Sequence, residues 1–230
     1  MPTVKNIVLV HGAWGDASHW RHVIPGLHAK GFHIAAVQNP LTSLADDIDR
    51  TSRLVAAQSG PTLLVGHSYG GSVITGAGHQ RNVAGLVYIA AFAPDEGESL
   101  ASIFARREPP PGAAAILPDN DGFLWLSQET FRENFGQDLG EAEALVMAVA
   151  QKPIAARCFD DKSGRPAWRV RPCWYQVSSK DHMIPPETER WMAERMKPKK
   201  ILTLDASHAS LASHAKEVIV LIEEAARASG

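Results

Sequence analysis

The chain contains 230 residues, 21% of them charged, and its formal net charge is −2 at pH 7. A chain of this length fits one domain, or one domain with a modest insertion, and can bury a sizeable hydrophobic core. Lysine and arginine form no run longer than a pair such as Lys199-Lys200, which disfavours nucleic acid and anionic membranes as partners. We therefore expect the partner to be a neutral small molecule.

The two cysteines and the first apolar segment bear on the cellular compartment. Cys158 and Cys173 form neither a C-x-x-C pair nor a zinc-ligand spacing, so we expect reduced thiols or a single optional bridge, with reduced thiols favoured. No metal or cofactor is expected. The apolar segment 4–10 is too short for a signal core or a membrane span. These features predict a cytoplasmic protein.

Short apolar runs rich in valine, isoleucine and leucine recur along the chain and predict buried strands. Most are too continuously apolar for a sheet with one wet face, which favours a parallel sheet covered by helices on both faces. Strands alternating with helices at this length predict a doubly wound, mostly parallel α/β domain. The predicted strands are 4–10, 33–37, 61–66, 83–90, 173–178 and 201–204.

The stretches between the predicted strands carry helical spacing. Apolar residues across 20–27 recur at i, i+3, i+4 and i+7, and Pro25 inside this pattern predicts a kink or a late helix start. Ser43, followed by two acidic residues, is typical of a capped helix start. Near the carboxyl end, residues 218–225 place their apolar side chains on one helical face.

A long interval between the strand ending near Ala91 and the strand beginning at Cys173 breaks this alternation. We interpret residues 96–171 as a small helical cap inserted over the carboxyl edge of the sheet, with 1–95 and 172–230 forming the core. Ligands bind at that edge in open α/β sheets, so cap aromatics are candidates to line an apolar pocket, although most should only hold the cap together. These aromatics are Phe104, Phe123, Trp125, Phe131, Phe135 and Trp168.

Residues 66–70 read Gly-His-Ser-Tyr-Gly, between an apolar run and a segment of small residues. This order predicts a strand, a sharp turn carrying the serine, and a helix. Glycines on either side permit so tight a turn, because larger side chains would collide with neighbouring elements. Ser68 is therefore a candidate nucleophile. The alternative is a flexible turn rich in glycine and serine that performs no chemistry.

A serine nucleophile needs a base that accepts its proton. Of the ten histidines, His208 follows the predicted strand 201–204 by a short loop, so it should project from the same sheet edge as Ser68. His214 is expected to be an exposed residue at the start of the final helix, and His182 is expected to point elsewhere. The sequence predicts His208 as the base, in the chain order Ser, acid, His that this type of fold favours.

The base in turn needs an orienting acid. Asp181 lies in the loop after strand 173–178, which ends in a helix started by proline, and it is the preferred candidate. Asp95, after the preceding strand, is the alternative, since a carboxylate there could reach the same imidazole. Asp205 is too close to His208 along the chain to face it from a neighbouring strand.

Two backbone N–H groups should bind the oxyanion of the reaction. The N–H of Tyr69 follows the nucleophile at a helix start. The second donor is predicted to be the N–H of Ala13 in the loop after the first strand, where Gly12 allows close backbone approach. We expect His11 to fix this loop by hydrogen bonds rather than to act in catalysis.

Five segments together resemble the α/β-hydrolase superfamily: 9–14, 66–71, 90–95, 181–185 and 207–208. Within it, the chain is similar to the group of plant methylesterases, salicylate-binding esterases, hydroxynitrile lyases and their small bacterial esterase relatives. The resemblance spans nearly the whole chain and is least specific across 97–170. It implies a triad of Ser68, Asp181 and His208, with Ala13 and Tyr69 as oxyanion donors.

Two departures from that group separate its activities. Its lyases carry threonine directly after the first-loop histidine and lysine directly after the catalytic histidine, where this chain has Gly12 and Ala209. The glycine leaves room for an ester carbonyl oxygen. Without the lysine, the site lacks the positive charge that a cyanide leaving group would need. The sequence thus predicts a serine esterase acting on a small, mainly apolar carboxylic ester through an acyl-enzyme. The alternatives are a hydroxynitrile lyase, or a hydrolase-fold binding protein with little turnover.

Overall fold

The computed structural model describes residues 4–230. In chain order its strands are β1 (Asn6–Val10), β2 (His33–Ala36), β3 (Thr62–His67), β4 (Val83–Ile89), β5 (Ile116–Pro118), β6 (Phe123–Leu126), β7 (Ile154–Ala155), β8 (Cys173–Ser178) and β9 (Lys200–Leu204). Six of them form the central sheet, in the order β2-β1-β3-β4-β8-β9, and neighbouring strands are parallel. These six coincide with the predicted runs, apart from one or two residues at their ends.

Helices cover both faces of the central sheet. Successive side chains of a strand point to opposite faces, so Ile7 and Leu9 of β1 pack in one hydrophobic cluster and Val8 and Val10 in the other. The doubly wound α/β fold predicted from the sequence is confirmed. The helices are α1 (Ile24–Ala29), α2 (Leu44–Ala56), α3 (Tyr69–Ala77), α4 (Leu100–Phe104), α5 (Phe131–Phe135), α6 (Glu141–Val149), α7 (Arg157–Asp160), α8 (Pro186–Met196), α9 (Ser210–Ser213) and α10 (Ala215–Ala228).

The first helical pattern divides into two pieces. A 3-10 turn spans Ala17–Trp20, and α1 begins at Ile24 with Pro25 in its first turn. Proline is tolerated there because the first amides of a helix have no intrahelical acceptor, so Pro25 marks a late start and not a kink. The predicted cap of α2 is present, since the Ser43 hydroxyl accepts the Asp46 N–H at 3.1 Å.

We call residues 96–171 the cap segment and retain these boundaries as a proposal. The segment lies between β4 and β8 and contains α4 to α7 together with an antiparallel sheet of order β5-β6-β7. The sequence predicts only helices here. The difference has a physical reason: strands of three, four and two residues are too short to show the alternating pattern by which a strand is recognised.

Both cysteines are buried and free. Burial raises the pKa of the Cys158 and Cys173 thiols to about 12, so both remain protonated thiols of low reactivity at neutral pH. Within residues 4–230, no helix combines the length and apolar character required to cross a membrane.

Candidate active site

Ser68 occupies the sharp turn between β3 and α3. Its backbone has φ 54° and ψ −125°, a left-handed conformation that costs free energy for a residue with a side chain. Neighbouring atoms leave no space for larger residues: a Cβ on Gly70 would lie 2.5 Å from the Val10 carbonyl oxygen, and one on Gly12 would lie 2.6 Å from the Ser68 Cβ. The predicted strand, turn and helix are therefore present around Ser68.

Ser68, His208 and Asp181 form a continuous chain of hydrogen bonds. The His208 Nδ1 lies 2.6 Å from Asp181 Oδ2, and its Nε2 lies 2.8 Å from Ser68 Oγ. A carboxylate only accepts hydrogen bonds, so Nδ1 carries the proton and Nε2 is free to accept from the serine hydroxyl. All three residues are buried: Ser68 is 4% exposed, His208 0% and Asp181 2%.

The loop after β8 fixes the orientation of Asp181. Its Oδ1 accepts the N–H groups of Met183 at 2.7 Å and Ile184 at 2.8 Å, which leaves Oδ2 for His208. The alternative acid lies elsewhere: Asp95 Oδ1 accepts a hydrogen bond from the Arg169 guanidinium at 2.5 Å. The structure thus brings Asp181, and not Asp95, to His208.

The remaining histidine and aspartate candidates pair away from Ser68. The His182 Nδ1 donates to the Glu133 carbonyl at 3.0 Å, and the His214 ring lies 3.8 Å from a carboxylate oxygen of Asp138. Asp205 is exposed and pairs with Lys180 at 2.9 Å. We call the sheet edge that carries Ser68, Asp181 and His208, with the loop 11–14, the serine edge.

Three side chains around His208 have roles that the sequence analysis did not identify. His67 Nε2 donates to the His208 carbonyl at 2.8 Å, and burial lowers the pKa of His67 well below its ordinary value, so its ring is neutral. Phe135 packs edge-on against the His208 ring at 4.9 Å between centroids. Asp138 accepts the Ser207 N–H at 2.9 Å. No sequence signal marked Asp138, whereas His67 lies within the serine motif.

The predicted oxyanion donors lie beside Ser68. Ala13 and Tyr69 line the same small cavity as Ser68, and Tyr69 begins α3, where backbone N–H groups lack intrahelical acceptors. His11 holds the Ala13 loop: its Nδ1 donates to the Gly12 carbonyl at 2.8 Å, and its Nε2 accepts the Asn39 N–H at 3.0 Å. Burial lowers the pKa of His11 to about 4, which keeps its ring neutral near pH 7.

Buried side chains also hold Tyr69 and the residue that follows Ala13. The Tyr69 hydroxyl donates to Asp47 Oδ2 at 2.6 Å, and burial raises the pKa of this carboxyl to about 6. Trp14, directly after Ala13, donates from Nε1 to the Leu124 carbonyl of β6 at 3.0 Å. The loop that carries Ala13 is therefore tied to the cap segment.

The cavity at Ser68 is small and apolar. Its volume is about 10 Å³, which is room for about one water molecule. Phe104 is the one predicted cap aromatic that lines it, and Phe159 is a lining residue that the sequence analysis did not select. Within the described residues 4–230, no three or more His, Cys, Asp or Glu side chains form a group suited to a metal ion.

The chain belongs to the alpha/beta hydrolase family, whose profile matches residues 7–220. It is similar to a carbendazim hydrolyzing esterase of Nocardioides sp., with 32% identity over 50% of this chain and 53% of the relative. It is also similar to Methylesterase 3 of Arabidopsis thaliana, with 25% identity over 96% of both chains. The solved structure of a pyrethroid hydrolase from Sphingobium faniae superposes with a TM-score of 0.82, at 23% identity, covering 97% of this chain and 98% of that one.

Proposed function

We propose that this protein is a serine esterase that hydrolyses carboxylic esters through an acyl-enzyme. The observation that carries the proposal is the buried chain of hydrogen bonds from Ser68 through His208 to Asp181. Membership of the alpha/beta hydrolase family supports it, as do relatives named as a carbendazim hydrolyzing esterase and a methylesterase.

The geometry suits a two-step reaction. His208 Nε2 takes the proton of Ser68 as Oγ attacks the ester carbonyl, and Asp181 stabilises the imidazolium that forms. The N–H groups of Ala13 and Tyr69 bind the oxyanion. His208 then gives the proton to the departing alkoxide, so the alcohol leaves and the acyl group stays on Ser68. In the second step His208 takes a proton from a water as the water oxygen attacks the acyl carbonyl. The bond between the acyl carbon and Ser68 Oγ then breaks, Oγ takes the proton from His208, and the acid leaves.

The proposed substrate is a small-molecule ester with a mainly apolar surface. Apart from Ser68, the cavity is lined by alanine, leucine, isoleucine, methionine and aromatic residues. No lysine is among the lining residues that the structure describes, which favours hydrolysis over release of cyanide. The net charge of −2 fits a neutral ligand rather than a nucleic acid or a membrane. Two free cysteines fit our proposed cytoplasmic location.

Turnover of p-nitrophenyl acetate by purified variants tests the proposal. Ser68→Ala should lower kcat by roughly three to six orders of magnitude, because the members of a triad act as a unit. Ser72→Ala is the matched control: Ser72 is also buried in α3 and should keep its activity. Phenylmethylsulfonyl fluoride should add one sulfonyl group to Ser68 and none to the Ser68→Ala protein, as measured by mass spectrometry.

Two results would contradict the esterase. Cyanide release from mandelonitrile, without ester hydrolysis, would identify a lyase. Saturable binding of esters with no turnover, in wild type and Ser68→Ala alike, would identify a binding protein.

A further inference from the structure

A second apolar cavity lies on the cap segment, next to the small cavity that contains Ser68. Its volume is about 470 Å³, whereas the inner cavity has about 10 Å³. Phe104, Ile116 and Phe159 line both cavities. These three residues therefore form a shared wall between the serine and the outer cavity.

The shared wall comes from three separate elements. Phe104 ends α4, Ile116 begins β5 and Phe159 lies in α7, and all three are half-buried. The Phe104 ring packs edge-on against Phe92 at 5.2 Å, and the Phe159 ring packs against Trp14 at 6.0 Å. Rotation of partly exposed side chains is fast compared with movement of whole elements. Such rotations would join the two cavities while the backbone of the serine edge stays in place.

The two cavities differ in what they can hold. The outer one has the volume of a site for a drug-sized ligand, and its lining includes Ala113, Leu124 and Ala156, with Arg107 and Asp160 as its charged residues. We propose that the substrate is an ester with one small group beside Ser68 and one bulky apolar or aromatic group in the outer cavity, with Phe104, Ile116 and Phe159 as the gate. This inference rests on the proposed esterase activity and specifies its substrate class.

Selective filling of the outer cavity tests this inference. Ala113→Trp puts an indole into that cavity, and Ala114→Trp puts the same side chain one position along the same 3-10 turn, at an exposed residue. Three esters are compared by proton release: methyl propanoate, 1-naphthyl acetate and methyl 1-naphthoate. Ala113→Trp should lower kcat/KM for at least one naphthyl ester by about tenfold or more, because a lost apolar contact costs that much discrimination.

The same measurements contain the controls. Methyl propanoate should be hydrolysed equally by both tryptophan variants, and the affected naphthyl ester tells whether the acyl or the alcohol group occupies the outer cavity. Phe159→Ala removes part of the wall and should raise kcat/KM for that naphthyl ester. An equal loss on all three esters, or naphthyl rates unchanged in both Ala113→Trp and Phe159→Ala, would overturn the inference. A wild-type protein that hydrolyses none of the three would instead overturn the proposed esterase function itself.

A separate observation concerns Glu189 of α8, which is fully buried next to the acid of the triad. Its Oε2 accepts the Ser178 N–H at 3.0 Å, and its Oε1 is buried without a hydrogen-bond partner, near the Asp181 carboxyl. Two neighbouring carboxyl groups can form a hydrogen bond only if one of them carries a proton. Burial and the Asp181 charge raise the pKa of Glu189 well above its ordinary value, which assigns the proton to Glu189.

We propose that Glu189 is a positioning residue whose carboxylic O–H donates to Asp181 and so holds that carboxylate toward His208. Asp181 then accepts this bond in addition to those from His208, Met183 and Ile184. The other ionisable groups near Glu189 are Tyr175 of β8 and Arg190 of α8. The Tyr175 hydroxyl donates to the Ala91 carbonyl, so it does not supply this proton.

Glu189→Gln and Glu189→Leu separate this role from packing. The amide of glutamine can accept from Ser178 and donate to Asp181, so Glu189→Gln should keep kcat within about threefold of wild type. Leucine fills similar space without a donor, so Glu189→Leu should lower kcat by about tenfold. Without the O–H donor, Asp181 holds more negative charge and stabilises the His208 cation more, so the acid limb of kcat/KM should also move to higher pH.

The kcat values and pH profiles of these variants distinguish a positioning role of Glu189 from a purely structural one. A Glu189→Leu protein with wild-type kcat and pH profile would overturn the role, as would a Glu189→Gln protein that behaves like a folded Glu189→Leu protein. Near-UV circular dichroism checks folding. If Glu189→Leu does not fold, Glu189→Met replaces it in the comparison with Glu189→Gln, and the same outcomes decide.

Discussion

The serine edge and the cap segment are held together in different ways. The serine edge uses buried side chains, a strained Ser68 backbone and glycines in close backbone contact. The cap segment uses helices of four to nine residues and strands of two to four, and it exposes apolar side chains on α6, among them Leu145, Val146 and Val149. The serine edge fixes a single geometry for the atoms of the proposed triad. The cap segment forms the wall of a cavity from side chains that can be substituted without moving those atoms.

Hydrogen bonds nevertheless tie the two regions together. Trp14 donates from the serine edge to the Leu124 carbonyl of β6 at 3.0 Å. Asp138, between α5 and α6, accepts the Ser207 N–H at 2.9 Å and the Ser213 hydroxyl at 2.8 Å. The cap segment thus contributes to holding the loop that carries His208. Substitutions at these hydrogen bonds test how far the two regions depend on each other.

The largest expected effect lies within the serine edge. Asp181→Asn should lower kcat about 10⁴-fold, because an amide cannot hold His208 in the tautomer that accepts the serine proton. Asp95→Asn is the matched control at the cap boundary and should leave kcat within about twofold, since its partner is Arg169. Turnover of p-nitrophenyl acetate measures both. The opposite ranking would move the acid to Asp95.

Buried histidines outside the cap segment, which itself contains no histidine, should make stability depend on pH between 7.5 and 4.5. Burial lowers the pKa of His19 from 6.5 to about 3. Between these two pH values the unfolded chain binds a proton at His19 that the folded chain does not bind. Stability contributed by neutral His19 is present above pH 6.5 and is lost as pH falls. Between pH 7.5 and 4.5 the free energy of unfolding of His19→Gln should gain about 3 kcal/mol relative to wild type.

Urea denaturation at the two pH values measures this difference. Trp20→Phe, at a buried neighbour without a titrating group, is the control and should show the same cost at both pH values. A His19→Gln cost that also stays constant would mean that the His19 ring is protonated in the folded protein.

A smaller effect is expected from removing the hydrogen bonds by which Asp138 joins the two regions. Asp138→Ala removes the acceptor of the Ser207 N–H and hydroxyl, so the free energy of unfolding should fall by about 2 kcal/mol. Because the His208 loop loses an anchor, kcat should fall about tenfold. Asp121→Ala, at an exposed turn of the cap segment, should change neither quantity. If stability falls while kcat is unchanged, the loop holds His208 without help from the cap segment.

The smallest effect is expected at the surface of the cap boundary. Arg169→Ala breaks the ion pair with Asp95, in which both side chains are partly exposed to solvent. The free energy of unfolding should change by less than about 1 kcal/mol, and kcat should not change. A fall in kcat above about threefold would show that this pair takes part in the reaction.

Most of the serine edge could be predicted from local sequence patterns. Contacts between residues that are far apart in the sequence could not be predicted in this way. Ser68 lies in a short motif, and Asp181 and His208 follow apolar strands by a few residues, so each is visible from its immediate neighbours. Asp138 is 69 residues from Ser207, and the approach of the Glu189 carboxyl to Asp181 depends on how α8 packs. Neither contact leaves a local signal.

The cap segment was less predictable for the same physical reason. Its strands are too short to show a period, and its aromatic residues look alike in sequence. Phe135 packs against the His208 ring, while Trp168 donates from Nε1 to the Pro94 carbonyl at 3.1 Å. Phe159 lines both cavities. Burial in the pocket and burial in the cap interior require the same residue type, so composition could not separate them.

The order of strands in the central sheet has a consequence for the protein during its synthesis. The turn that carries Ser68 needs β3 and α3, whereas His208 follows β9, the edge strand of the sheet, and lies 140 residues further along the chain. The growing chain on the ribosome therefore presents the serine long before its proposed base exists, and contacts between such distant residues form late in folding. A serine hydroxyl without a base is a weak nucleophile. Under the proposed mechanism, unfinished chains should therefore be unreactive toward esters, and reactivity should begin when the last strand joins the sheet.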